Sequence, residues 1–426
     1  MITSIGIRRE DRNQWERRIP LIPRDIKKFI DQDIRIEVQP STIRCYKDEE
    51  FLDVGAKVKE DLSEADFLIG VKEMPISFIQ PGKPHLFFSH TIKGQSYNMP
   101  LLKDILEKKA TLIDYERIMD AKKRRLIAFG RFAGLAGAID SLSILGKRWQ
   151  KQGKITPLAN VKFSHEYSDL ENAKEELRII GSQMQENFTE TLRIAVPGYG
   201  NVSQGVQEIL ELFPLQRISA QDLKFGSYRM AYTVLKESDF ILAPEGKEFD
   251  LQDYYQNPEG YRSCFHEFLP YLTAIISTIY WDERYPRLVT KKNLKILSEK
   301  KLTNLQVIGD ISCDVEGAIE CTLKTTDPGN PAFVYHPATE KAQDGIYGEG
   351  LAILAVDILP AEFSLDASKF FSRQLFPLLS QILQADFNTE LSKAGLPDEL
   401  KSAVIVWQGH LTEDYQYLEQ FLTKSE

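Results

Sequence analysis

The chain has 426 residues, with 53 Lys and Arg against 62 Asp and Glu for a formal charge of −9; 42% of residues are hydrophobic and 27% charged. This composition excludes a disordered or collagen-like chain, and the acidity argues against a nucleic-acid binder, which presents a basic face. No stretch approaches the ~18 uncharged apolar residues of a membrane-spanning helix, and at about 150 residues per domain the length suggests two or three domains.

The opening, Met1-Ile-Thr-Ser-Ile-Gly-Ile-Arg-Arg-Glu10, lacks the basic and then apolar pattern of a secretory signal. Residues 2–7 read as a first strand, and 23–32 as a helix with proline at its start, where the missing N–H costs nothing. Residues 34–38 alternate apolar and polar, the mark of a half-buried strand. Further strands are expected at 67–71, 85–89, 111–115 and 124–129, with helices between some of them, and this alternation predicts a parallel α/β sheet. A long helix over 132–150 opens with the small residues Ala133-Gly-Leu-Ala-Gly-Ala138, which let it approach another backbone closely. Residues 151–190 are polar, contain a predicted helix over 170–185 and read as an insertion. Cys45, Cys264, Cys313 and Cys321 form no CxxC pair and meet no histidine cluster, so neither a metal nor a disulfide framework is expected. The pattern suits a reducing cytoplasm, with Cys313 and Cys321 as small buried residues.

The best-defined segment begins at Leu192. Residues 192–197 form a buried strand, Gly198-Tyr-Gly-Asn-Val-Ser-Gln-Gly205 follows, and a helix runs over 202–212. Strand, glycine turn and helix make a dinucleotide-binding arrangement. Gly198 supplies the tight turn, Gly200 admits a pyrophosphate close to the backbone, and the helix start at Asn201 and Val202 offers N–H groups to the anion. Ser203 holds the third fingerprint position in place of glycine, with Gly205 two residues on. A plain structural turn is the competing reading. The next strand is expected to end within Leu215-Gln-Arg-Ile-Ser-Ala220, where nothing acidic precedes Asp222 while Arg217 and Ser219 could meet a 2′-phosphate. This favours NADP(H) and leaves NAD(H) open.

Two polar clusters sit at predicted strand ends, where parallel sheets bind ligands. Lys72-Glu73 follows the run 67–71, and His90 follows 85–89. A desolvated lysine and a histidine titrating near neutrality could move protons together; alternatively, Lys72 reaches solvent and His90 caps a helix. The loop from Arg8 to Arg18 is dense in charge: either a solvated surface or a set of guanidinium forks for a dicarboxylate. Glu116, just past 111–115, could set the charge of a neighbouring lysine. Asp310 and Asp314 follow the apolar run 305–309 and are expected near a nicotinamide.

The string Ile7-Arg-Arg-Glu-Asp-Arg-Asn-Gln-Trp-Glu-Arg-Arg-Ile-Pro-Leu-Ile-Pro23 resembles the opening of lysine–ketoglutarate reductase, the lysine-forming saccharopine dehydrogenase found as the amino-terminal half of α-aminoadipic semialdehyde synthase. Gly70-Val-Lys-Glu73, Phe87-Phe-Ser-His-Thr-Ile-Lys93, Leu112-Ile-Asp-Tyr-Glu116, Tyr280-Trp281 and Asp357-Ile-Leu-Pro360 continue the likeness in the same order. The resemblance implies two Rossmann-like α/β domains with parallel sheets, as in alanine dehydrogenase and transhydrogenase, and an active-site cleft between them. The expected division is 1–132 plus 358–426 for substrate and 133–357 for the dinucleotide. It also implies condensation of L-lysine with 2-oxoglutarate and reduction of the imine to saccharopine. Lys72 and His90 would transfer protons, and Arg18 would hold a carboxylate. Glu16, Glu73 and Glu116 would tune charge, and Lys93 joins them as a substrate-site residue. The bifunctional relatives continue into a second dehydrogenase, so this chain is expected to be monofunctional. Two alternatives stay open: an amino-acid or opine dehydrogenase with another oxo-acid and amine pair, and a nucleotide-binding sensor without turnover. Neither a membrane nor a nucleic acid is an expected partner, and oligomeric state is not fixed by the sequence.

Overall fold

In the computed structural model, residues 2–422 are described, and the chain divides into two compact units, Met1–Phe129 with Ser364–Glu426, and Gly130–Phe363. The crossings fall at 129/130 and 363/364, where helices begin at Gly130 and Ser364.

The first unit is built on β1 (Ser4–Ile7), β2 (Arg35–Val38), β3 (Lys57–Val58), β4 (Phe67–Ile69), β5 (Pro84–Phe87) and β6 (Thr111–Asp114). Val404–Trp407 and His410–Leu411 from the carboxyl-terminal segment complete an eight-stranded sheet. Neighbours run β6, β5, β4, β1, β2, β3, all parallel, and Val404–Trp407 pairs antiparallel with β6. The central strands are short and wholly buried, which is why they read as continuous apolar runs. The chain leaves β1 in one direction to β2 and returns on its other side as β4, so β1/β4 is the point where strand order reverses. The helix at Pro23–Ile30 starts with proline as expected, and the Ser364–Ile382 helix packs on this unit through Ser368 and Ser372, whose hydroxyls accept the Ile19 and Ile22 amides at 3.0 and 3.1 Å.

The expected strand at 124–129 is not one. Only a single bridge, Met119 to Arg125, forms there, and Lys123 turns at φ +57°; the run Leu126, Ile127 and Phe129 points apolar side chains inward from an irregular segment. Burial without a ladder partner gave the sequence its strand-like look.

The second unit opens with the buried helix Gly130–Lys151. Its sheet contains β7 (Leu192–Pro197), β8 (Gln216–Arg217) and β9 (Met230–Leu235), with a separate two-stranded pair β10 (Ile241–Leu242) and β11 (Arg262–Ser263). The main sheet continues with β12 (Ala274–Ser277), β13 (Val307–Asp310), β14 (Ala332–His336), β15 (Lys341–Asp344) and β16 (Leu351–Leu354). Its order is β15-β14-β16-β13-β12-β7-β9-β8, parallel from β16 to β8 and antiparallel at β14 and β15. Order reverses at β7/β12, the place where open α/β sheets bind ligands. The small residues of the long helix do what their size suggests. A Cβ at Gly134 would meet the Val202 carbonyl, and one at Gly205 the Arg131 carbonyl, so the Gly130–Lys151 and Asn201–Leu210 helices touch backbone to backbone. Cys321 is buried, whereas Cys313, expected to be buried too, is half-exposed at φ +50°.

Candidate active site

In the first unit the chemistry-bearing side chains gather at the carboxyl ends of four adjacent parallel strands. The 8–18 loop follows β1, Lys72 and Glu73 follow β4, His90 follows β5 and Glu116 follows β6. Glu10 is fully desolvated and accepts the amides of Val71 at 2.7 Å and Lys72 at 3.1 Å, so it clamps the loop after β4 to the loop after β1. Burial and the neighbouring Glu16 charge push its carboxyl up to about 7. Asp114 does the same for the loop after β5, accepting the Ser89 amide at 2.9 Å and hydroxyl at 2.5 Å. That grip holds His90 at φ +53°, a left-handed conformation rare for a residue with a Cβ.

His90 Nδ1 lies 2.5 Å from Glu73 Oε1, and Arg12 stands 3.8 Å from the other Glu73 oxygen. Desolvation would raise the Glu73 pKa, but the His90 hydrogen bond and charge outweigh it and hold the carboxyl at about 2. Lys72 is half-buried, and its pKa is lowered, first by desolvation and then by the Arg18 charge, with Glu73 and Glu16 opposing. Arg18 and Glu16 form a buried fork: Nε to Oε1 at 2.8 Å and NH2 to Oε2 at 2.5 Å. Arg18 also lies 4.2 Å over the Phe129 ring. The Glu16 carboxyl is desolvated, yet Arg18 keeps it below its usual range.

Two expected members sit differently. Glu116 is buried and pairs with Arg125, and its amide donates to Asp114 at 2.7 Å. Lys93 is exposed on the Thr91–Lys93 turn. Sequence reasoning passed over Glu10 and Asp114: Asp114 closes an apolar strand, whereas Glu10 stands in a charged loop three residues past β1.

In the second unit, a cavity of about 450 Å³ opens at the carboxyl ends of β7, β9 and β12. Gly198 and Gly200 line it, with Glu237, Thr278 and an aromatic wall that includes Tyr255 and Trp281. Gly198 has φ +99°, and a Cβ there would strike Thr278, so the tight turn needs glycine. At Gly200 the same test meets nothing within 4 Å, which leaves open space over the start of the Asn201–Leu210 helix. This cradle fits a dinucleotide pyrophosphate, and the aromatic wall fits an adenine ring. Ser203 is buried and takes a Gln207 amide bond at 3.1 Å, so it faces the interior, and the close helix contact belongs to Gly205. Asn201 is exposed and Val202 half-buried at the helix start.

The strand beside β7 is β9, not β8, which corrects the basis of the expected phosphate contact. Arg217 ends the edge strand opposite Tyr232, Ser219 caps the short Ala220–Phe225 helix through Asp222, and neither lines the cavity. Asp310 is buried at the end of β13, bonded to the hydroxyls of Thr322 at 2.6 Å and Ser312 at 2.8 Å; burial lifts its pKa to about 6. Asp314 is exposed beyond it. Among the described residues no group of three or more His, Cys, Asp or Glu is placed to hold a metal, and no helix is long and apolar enough to cross a membrane.

The family profile of the alanine dehydrogenase/PNT N-terminal domain matches residues 6–136, the stretch carrying Arg18, Lys72 and His90. Over 97% of this chain, the α-aminoadipic semialdehyde synthase of Arabidopsis thaliana is 35% identical, and over 98% the mitochondrial enzyme of Bos taurus is 32% identical. The chain is similar in sequence to these synthases and to the saccharopine dehydrogenases. It spans 41% and 47% of those two proteins, less than half of each. The NAD(+), L-lysine-forming saccharopine dehydrogenase of Emericella nidulans is 26% identical over 86% of this chain and 89% of its own length. In three dimensions the fold is that of an L-alanine dehydrogenase, with TM-score 0.65 at 14% identity over 99% of this chain and all of the other. The transhydrogenase of Sinorhizobium meliloti superposes with TM-score 0.59 at 14% identity, over 96% of this chain and 100% of its own. The α/β architecture is therefore that of the alanine dehydrogenase-like fold, and the resemblance read from the 7–23 string agrees with the sequence similarity to the semialdehyde synthases.

Proposed function

We propose that this chain condenses L-lysine with 2-oxoglutarate and reduces the resulting imine to saccharopine, releasing water and oxidised nicotinamide. The observation that carries the reading is the cluster at the carboxyl ends of β1, β4 and β5, a lysine with lowered pKa beside a histidine whose Nδ1 is tied to an ionised glutamate. The Nδ1 bond to Glu73 leaves His90 Nε2 to accept and return a proton. Lys72 Nζ, disfavoured as an ammonium by burial, is suited to take the proton of the attacking ε-amine and to hand one to the departing hydroxyl. Glu16 accepts from Arg18 Nε and Nη2, and among the described residues no acceptor for Nη1 is seen, so Nη1 can donate to a substrate carboxylate. The second unit's glycine turn and aromatic cavity would hold the nicotinamide dinucleotide, which supplies hydride when bound. Gly198, Gly200 and the Asn201 and Val202 amides would cradle its pyrophosphate.

The condensation and the reduction that follows it are proposed as one activity of these 426 residues. None of the four cysteines is in a disulfide, in keeping with a reducing compartment such as the cytoplasm. Incubation with isotopically labelled lysine, 2-oxoglutarate and reduced dinucleotide should yield a labelled product with the mass of saccharopine. Labelled lysine recovered unchanged would reject the reading.

A further inference from the structure

We propose that Glu237 selects the cofactor, accepting a hydrogen bond from the adenosine ribose 2′-hydroxyl and excluding a 2′-phosphate, so that this chain prefers NAD(H) to NADP(H). The inference rests on the reading of the second unit as a dinucleotide site.

The sheet topology places the residue. In a doubly wound sheet the adenosine ribose meets the carboxyl end of the strand lying beside the glycine-turn strand, where an acidic side chain accepts the 2′-hydroxyl. Here that strand is β9. It pairs in parallel with β7 so that Leu235 is level with Pro197, and Glu237 and Tyr199 each follow their strand end by two residues. Both line the same cavity as Gly198 and Gly200. Arg217, on β8, is level only with Tyr232, three residues short of the β9 end.

The electrostatics point the same way. Among the described residues lining the cavity, Glu237 is the charged one; there is no Lys or Arg. Lys236 precedes it but is exposed and lies outside the lining. Nearby Arg284 is committed to Asp282 through two bonds of 2.9 and 2.8 Å. A 2′-phosphate carries about −1.5 to −2 charges at neutral pH, and beside an unneutralised carboxylate with no guanidinium to pair with it, it would be repelled. A ribose hydroxyl donates to the same carboxylate at no such cost. The Tyr255 phenol donates to Glu237 Oε1 at 2.6 Å, which fixes the carboxylate and leaves Oε2 for a second donor.

Calorimetric titration of the full chain with NADH and with NADPH, without substrates, tests this apart from turnover. Wild type should bind NADH at least about tenfold more tightly than NADPH. Glu237→Gln, which keeps the size and removes the charge, should bring the two within about threefold, and Glu237→Arg should reverse the preference. Equal or tighter NADPH binding by wild type would overturn the selector while leaving the dinucleotide site intact. A wild-type NADH preference unchanged in both variants would overturn the assignment to Glu237. Binding of neither dinucleotide would overturn the site itself and this inference with it.

Discussion

At the scale of single residues, neighbours set the charge of Lys72. Glu73 favours the cationic form of Lys72 through its field and holds His90 in place through Nδ1. Glu73→Gln should therefore move the acid limb of the pH–rate profile to lower pH, since removing a nearby anion favours the neutral base. A limb that stays put or moves upward would deny the coupling. Lys72→Met and His90→Gln should each lower kcat by about a hundredfold or more while leaving the dinucleotide Kd unchanged, because both lie in the unit that does not hold the glycine turn. Full turnover in either variant would remove that residue from the mechanism. Their places at strand ends were legible because Lys72 follows the apolar run 67–71 and His90 the run 85–89, while the roles proposed for them come from the resemblance. Glu10 was not: an acidic residue in a run of eight charged groups within 8–18 looks solvated, and only the fold shows its oxygens turned onto the Val71 and Lys72 amides.

Among the secondary-structure elements, the glycines give the sharpest tests. A methyl at Gly205 would press on the Arg131 carbonyl where two helices touch, and Gly205→Ala should cost about 1–3 kcal/mol of stability in denaturant unfolding. Gly200→Ala, where the added methyl meets open space, should leave stability nearly unchanged and weaken dinucleotide binding. Equal destabilisation by the two would mean the turn and the helix contact are not distinct. Apolar periodicity located β7 to its bounds, and proline and small residues placed the Pro23–Ile30 and Gly130–Lys151 helices within two residues. It failed where burial and pairing part company, at 124–129, and where a two-residue edge strand stood in for the neighbour of β7. The run Met230–Leu235 carried the β-branched and aromatic signal of a strand and the acidic residue just after it, but a sequence does not state which strands lie side by side.

For the molecule as a whole, stability carries a proton signature. Asp140 and Glu362 are adjacent buried carboxyls in the second unit; Asp140 accepts the Ser164 amide at 2.7 Å, and Glu362 the His165 amide at 3.2 Å. Burial lifts Glu362 to about 7, and burial together with the Glu362 charge lifts Asp140 well above the carboxylate range. A carboxyl with a folded pKa above its unfolded value binds more protons when folded, so stability falls as pH rises from about 4.3 to 7. Glu362→Gln should flatten that fall and raise Tm relative to wild type above pH 7; a parallel pH dependence in the two proteins would contradict it. The parallel sheets were legible from alternating strands and helices, whereas the return of the Ser364–Ile382 helix and Val404–Trp407 to the first unit was implied only by the family resemblance. The central claim is tested most directly by the loss of reduced-nicotinamide absorbance across a matrix of amines and oxo acids, with NADH and NADPH run side by side. Rapid loss only when L-lysine and 2-oxoglutarate are both present is the predicted result, and oxidation that favours pyruvate with ammonia, or no oxidation with any pair despite dinucleotide binding, would contradict it.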